Sequence, residues 1–87
     1  MMIILTKTVA SNVYGKVTRK TEMIDTFSES DFEKVVKVVE EKYIKPLGEL
    51  TKRSISDGYA VWESRMEYEP SKWTGIKFKL EEEFEDS

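Results

Sequence analysis

The side chains able to do chemistry in this chain are carboxylates, lysines, a few arginines and aromatic rings. The sequence holds 17 Asp and Glu against 14 Lys and Arg, for a net charge of −3, and contains neither His nor Cys. Without cysteine there is no thiolate nucleophile, no disulfide framework and no thiolate zinc site, and nothing points to an oxidising compartment. Without histidine the commonest metal ligand and the commonest general base near neutral pH are missing, so serine-histidine and cysteine-histidine catalysis are excluded. Carboxylate chemistry remains. Glu40 with Glu41, or Glu81 with Glu83, have the residue type to hold a hard cation or to pair as acid and base. Consecutive helical residues diverge, however, and the second pair falls in a frayed terminus, so the expectation is no catalytic residue, no metal and no cofactor. Gly15, Gly48, Gly58 and Gly75 are isolated, and no glycine-rich loop leads into a helix to cradle a phosphate.

Binding chemistry is better represented. Lys16, Arg19 and Lys20 form a basic patch that suits phosphates, with Tyr14 beside it as a stacking ring. A pI near 5.0 disfavours nucleic acid as the partner. Glu81, Glu82, Glu83, Glu85 and Asp86 form an acidic patch at the other end. Its plain reading is a solvated tail; its functional reading is a mimic of nucleic acid that occupies the basic groove of a nucleic-acid-processing protein. Among the aromatics, Phe27, Phe32, Tyr43, Trp62, Phe78 and Phe84 fall on core positions. Tyr14, Tyr59 and Trp73 fall off them and are the candidate protein-binding residues, since exposed Tyr and Trp anchor interfaces.

These groups must be positioned by one small domain, residues 1–87, whose segment 81–87 reads as a strand end passing into the acidic tail. From Ile3 to Ala10 the β-branched content and alternation are those of a strand, and Lys16 to Phe27 resumes after a turn at 11–15. Alternation breaks near Met23 and Ile24, the mark of a bulge or a strand end. Ser30 and Glu33 have capping-box spacing, and Phe32, Val35, Val36, Val39, Tyr43 and Leu47 make the apolar face of a helix, with Glu33, Lys34, Lys37, Glu40 and Glu41 on its solvated side. Pro46 ends the regular helix near Ile44, with an extra turn allowed to Leu50. Residues 54–58 read as a loop. Tyr59 to Tyr68 and Ile76 to Leu80 then alternate as a second hairpin about Glu69-Pro70-Ser71. With Tyr68 facing Lys72, Trp62 meets Phe78 inside and Glu63 meets Lys77 outside; slips by two residues set Arg65 beside Lys77 or Lys79.

The expected fold is therefore α+β, a four-stranded antiparallel sheet in ββαββ order with one amphipathic helix packed on one face. No family motif is present. The short, cysteine-free, lysine- and glutamate-rich make-up resembles that of small accessory proteins of bacteriophages and mobile elements, which implies a non-enzymatic inhibitor or adaptor that binds a host or bacterial protein. The longest apolar run, Met1 to Leu5, is too short for a secretory core or a membrane span, so a cytoplasmic protein is expected. Open strand edges and a short chain leave room for a homodimer.

Overall fold

The computed structural model describes residues 2–83. Its sheet has five strands, which corrects the four-stranded ββαββ expectation. They are β1 (Met2–Val13), β2 (Lys16–Phe27), β3 (Lys52–Ser56), β4 (Tyr59–Glu69) and β5 (Lys72–Glu83), in spatial order β2-β1-β5-β4-β3 and antiparallel throughout. The first and last long strands thus pair at the centre, flanked by β2 on one side and by the β3–β4 hairpin on the other. The additional strand, β3, falls where a loop was expected. Lys52 to Ser56 is exposed throughout and has no buried apolar alternation to announce it. It forms because Asp57 and Gly58 make a two-residue turn, with Gly58 at φ +78°, that folds it back on β4 from Ser56–Tyr59 to Lys52–Glu63.

The second hairpin has the expected register, with Trp62 opposite Phe78 and Glu63 opposite Lys77. Only its tip differs: the pairing slips between Glu67 and Glu69, so Glu69 rather than Tyr68 faces Lys72. Pro70 then supplies a fixed φ and Ser71 adopts φ +68°, the pattern of a type II turn. In the first hairpin both turn residues, Tyr14 and Gly15, have positive φ, as a type I′ turn requires. The break at Met23 and Ile24 is a bulge, since Leu5 faces Asp25 and Thr6 faces Met23.

Helix α1 (Phe32–Val39) buries Phe32, Val35, Val36 and Val39. Its cap is Asp31, not Ser30: the Asp31 carboxylate accepts from Glu33 N–H at 3.1 Å, one residue nearer the helix than the capping box places it. Beyond Val39 the backbone widens into a π turn over Glu40–Ile44, then tightens into a 3-10 turn over Lys45–Leu47 that ends at Gly48, φ +77°. Pro46 therefore redirects the helix rather than stopping it. The wide turn rephases the apolar stripe, so Ile44 is buried while Tyr43 and Leu47 only border the core.

Glu40, at the junction of α1 and the π turn, is half-buried rather than on the solvated side where the spacing places it. Trp62 is 0% exposed, and its indole N–H donates to Glu40 Oε2 at 3.0 Å. Arg53 on β3 completes the clasp, donating from Nε to Oε2 at 2.7 Å and from Nη2 to Oε1 at 2.9 Å. Those two bonds, aided by the indole donor and the guanidinium charge and opposed by partial desolvation, hold the Glu40 carboxyl below its ordinary range. On the other flank Tyr43 donates its hydroxyl to Asp25 Oδ2 at 2.9 Å, and its ring lies 6.0 Å from that of Phe78.

The helix covers only one end of the sheet. Ile3, Leu5, Ala60, Trp62, Phe78 and Leu80 meet it, whereas no residue of 7–31 or 63–77 is buried. The distal half of the long strands projects as a blade open on both faces, within overall extents of 46 × 28 × 18 Å.

Val39 is 0% exposed, so Val39→Asp should abolish the cooperative thermal transition by burying an unpaired carboxylate, while Glu41→Ala should shift stability by less than about 0.5 kcal/mol. Equal effects would reject this helix face. Because the Glu40 pKa is lower folded than unfolded, its stabilisation is complete above the unfolded glutamate value and is lost as pH falls through the folded one. Urea midpoints of the wild type and Glu40→Gln should accordingly differ at neutral pH and draw together as pH falls below the ordinary glutamate range. A gap that stays constant into acid would refute that role.

Candidate functional site

On the face opposite the helix, the pairing of four strands places Arg19, Ala10, Gly75 and Arg65 in one row. Two small residues form its centre and a guanidinium stands at each end. The adjoining row on one side runs Thr21, Thr8, Lys77 and Glu63; on the other side Asn12, Trp73 and Glu67 stand together. The small side chain of Ala10 and the absence of one at Gly75 leave a groove of about 430 Å³, walled by Trp73, Arg65, Arg19 and Lys77.

Strand geometry fixes the walls. Trp73 and Gly75 are two apart on β5 and so share a face. Arg65, opposite Gly75, lays its guanidinium over the Trp73 indole, 4.2 Å from the ring centroid, within cation-π range. Arg65 Nη2 also lies 3.6 Å from Glu67 Oε1, which steadies the stack. A groove of this make-up offers a ring face for stacking, guanidinium donors for charge-assisted hydrogen bonds and a floor low enough for a backbone to approach. Among the described residues, no group of three acidic side chains is placed to hold a metal ion.

The sequence-predicted residues are not brought together. Trp73 lies in the groove. Tyr14 stands at the far turn, 71% exposed, where its hydroxyl donates to Glu69 Oε2 at 3.2 Å and its N–H to Ser71 O at 2.9 Å, joining the tips of the two hairpins. Tyr59 is on the open face but at its other end, opposite Glu81. The basic patch is divided by strand alternation: Lys16 and Lys20 project to the helix side of the sheet and Arg19 to the groove. The acidic patch is divided likewise, with Glu81 and Glu83 on the open side and Glu82 on the other, all three within β5 and paired with Ile4, Met2 and Ile3. Phe84, Glu85 and Asp86 lie outside the described residues.

Arg65, Lys77, Ala10 and Gly75 are the groove residues that sequence reasoning missed. One signal was present: in the second hairpin's register, Gly75 stands opposite Arg65 and two residues from Trp73. The other half of the groove depends on β1 pairing with β5, a contact that local pattern does not carry. No family model, curated protein or solved structure matches this chain, so the groove is read from its own geometry.

Gly75 has no positive φ, and a Cβ there would meet Ser64 O and the Trp73 ring at 3.7 Å, ordinary contact. The backbone does not need glycine at this site. Gly58 does: its φ is +78° and a Cβ would lie 3.0 Å from Glu82 Oε2. In thermal melts Gly75→Ala should match or exceed the wild type, whereas Gly58→Ala should lose about 1 kcal/mol. Comparable losses at both would mean that Gly75 is a folding requirement rather than the floor of a groove.

Proposed function

We propose that this chain is a non-enzymatic, cytoplasmic protein-binding module, an inhibitor or adaptor that meets its target with the open sheet face. The observation that carries this reading is the Trp73–Arg65 stack beside a floor of Ala10 and Gly75. Trp and Arg are the residues most enriched among interface hot spots, and a small-residue floor next to them admits a side chain or a backbone segment of a partner. The charge around the groove is mixed, Arg19, Arg65 and Lys77 being interleaved with Glu63 and Glu67, which suits a protein surface better than a run of phosphates. An acidic mimic has less support, because Glu81 lies 3.5 Å from Lys79 and the neighbouring glutamates alternate between faces.

Capture of a target from extracts of the native source by the immobilised protein tests this. A defined polypeptide should be retained at high salt, and Trp73→Ala should weaken its binding by about 2 kcal/mol, roughly thirtyfold. Tyr59→Ala, remote from the groove, should leave it unchanged. Retention of oligonucleotides in place of a protein, or capture that disappears with salt and ignores Trp73→Ala, would overturn the proposal.

A further inference from the structure

Strand β2 is the long outer edge of the sheet: 12 residues paired on one side only, without proline, and exposed from Lys16 to Met23. In a two-residue hairpin the closing pair, here Val13 and Lys16, exchanges hydrogen bonds. By alternation, Val17, Arg19, Thr21 and Met23 turn their backbone N–H and C=O groups away from β1, which makes a row of donors and acceptors free to template another strand. On the opposite side β3, 5 residues long, pairs with β4 only from Tyr59 to Glu63, which leaves a shorter open edge on β4 beyond it.

We propose that β2 pairs antiparallel with β2 of a second copy of this chain, about a two-fold axis through Thr21. Charge and overlap together select the partner and the register, since centring on Val17 or beyond Ile24 pairs only the ends of the strand. A two-fold axis normal to the sheet keeps each face on its own side, so the strand can centre only on a residue paired with its own copy. Centring on Arg19 or Lys20 sets a cation against itself, and centring on Glu22 sets a carboxylate against itself. Centring on Thr18 places Lys16 opposite Lys20, and centring on Met23 places Glu22 opposite Asp25 across the bulge. Like charges directly opposite destabilise a sheet. With Thr21 at the axis, Lys20 faces Glu22 twice by symmetry and Arg19 faces Met23. The additional residue of the bulge, Ile24, then restores the alternation, so Thr18 meets Asp25 and Lys16 meets Phe27. No like charges oppose one another, and the overlap runs the whole length of the strand. An extended segment of some other protein could use the same edge, but β2 already carries its own complement.

The intact protein tests this by sedimentation velocity across about a thousandfold concentration range, with circular dichroism confirming that each variant folds. The wild type should pass from monomer to dimer. Lys20→Glu and Glu22→Lys each set two like pairs across the axis and should weaken the dimer about tenfold or more, whereas the double variant restores opposite pairs across the axis and should recover most of the wild-type association, its Glu22→Lys side chain still facing Lys7 of β1. Thr21→Cys, in a chain with no cysteine of its own, should form an intermolecular disulfide, because residues opposite in a hydrogen-bonded pair lie about 5.5 Å apart at Cα. A wild type that stays monomeric, single variants that associate as well as it does, or a double variant that fails to recover would each overturn the proposal. So would a monomer that captures a foreign extended peptide on this edge.

Discussion

Burying a tryptophan obliges the protein to find an acceptor for its indole N–H, and in this fold the rest of the core is arranged around how Trp62 does so. The acceptor is Glu40, which closes the α-helical part of the helix just where the π turn begins. A carboxylate drawn to the rim of the core needs compensation in turn, and Arg53 supplies two hydrogen bonds from β3. Three elements are thereby joined through one side chain: the helix, β4 and the edge strand β3. The same turn aims Tyr43 at Asp25 beside the β2 bulge, which gives the helix a polar anchor on the other flank.

Concentrating the core at one end has a consequence for the other. A helical segment of 16 residues, Phe32 to Leu47, cannot cover strands that run 11 or 12 residues, so the distal half of the sheet is stabilised by pairing and cross-strand contacts rather than by a second layer. Thr8 with Thr21 and Ser11 with Thr18 hydrogen-bond across β1 and β2 at 2.9 and 2.8 Å, and Tyr14 with Glu69 joins the tips. The blade is thus held in shape while its faces and both its edges, β2 and the distal part of β4, stay open. This division, a packed base and an uncovered blade, separates the residues that fold the protein from those free to bind.

Legibility in the sequence followed the range of the interaction concerned. The alternation of Tyr59 to Tyr68 and Ile76 to Leu80 with their charges gave the second hairpin's register, and broken alternation gave the bulge at Met23 and Ile24. The helix start was readable to within one residue, Asp31 replacing Ser30 because both have capping side chains and only backbone geometry decides between them. The π turn was not readable: spacing arguments assume 3.6 residues per turn, so they put Leu47 where Ile44 is buried, while Glu40 was grouped by its charge with the solvated side although it borders the apolar one. Strand β3 has no apolar pattern because its stability comes from Arg53 and from pairing with β4, although Asp57-Gly58 was a hairpin signal. The groove was half legible, through Trp73, Arg65 and Gly75 in one hairpin. Its other half, Ala10 and Arg19, arrives through a pairing of chain ends that no local pattern specifies.

The central claim is that the Glu40 clasp couples helix to sheet. A double-mutant cycle of Glu40→Gln and Arg53→Gln, read by urea denaturation at neutral pH, tests it most directly. If the two side chains act as one unit, each single substitution should forfeit most of what the pair contributes, and the double variant should be more stable than the sum of the singles implies by at least about 0.5 kcal/mol. Strict additivity, within about 0.3 kcal/mol, would mean that the bonds seen between Glu40 and Arg53 contribute nothing jointly and that the fold is held by apolar packing alone.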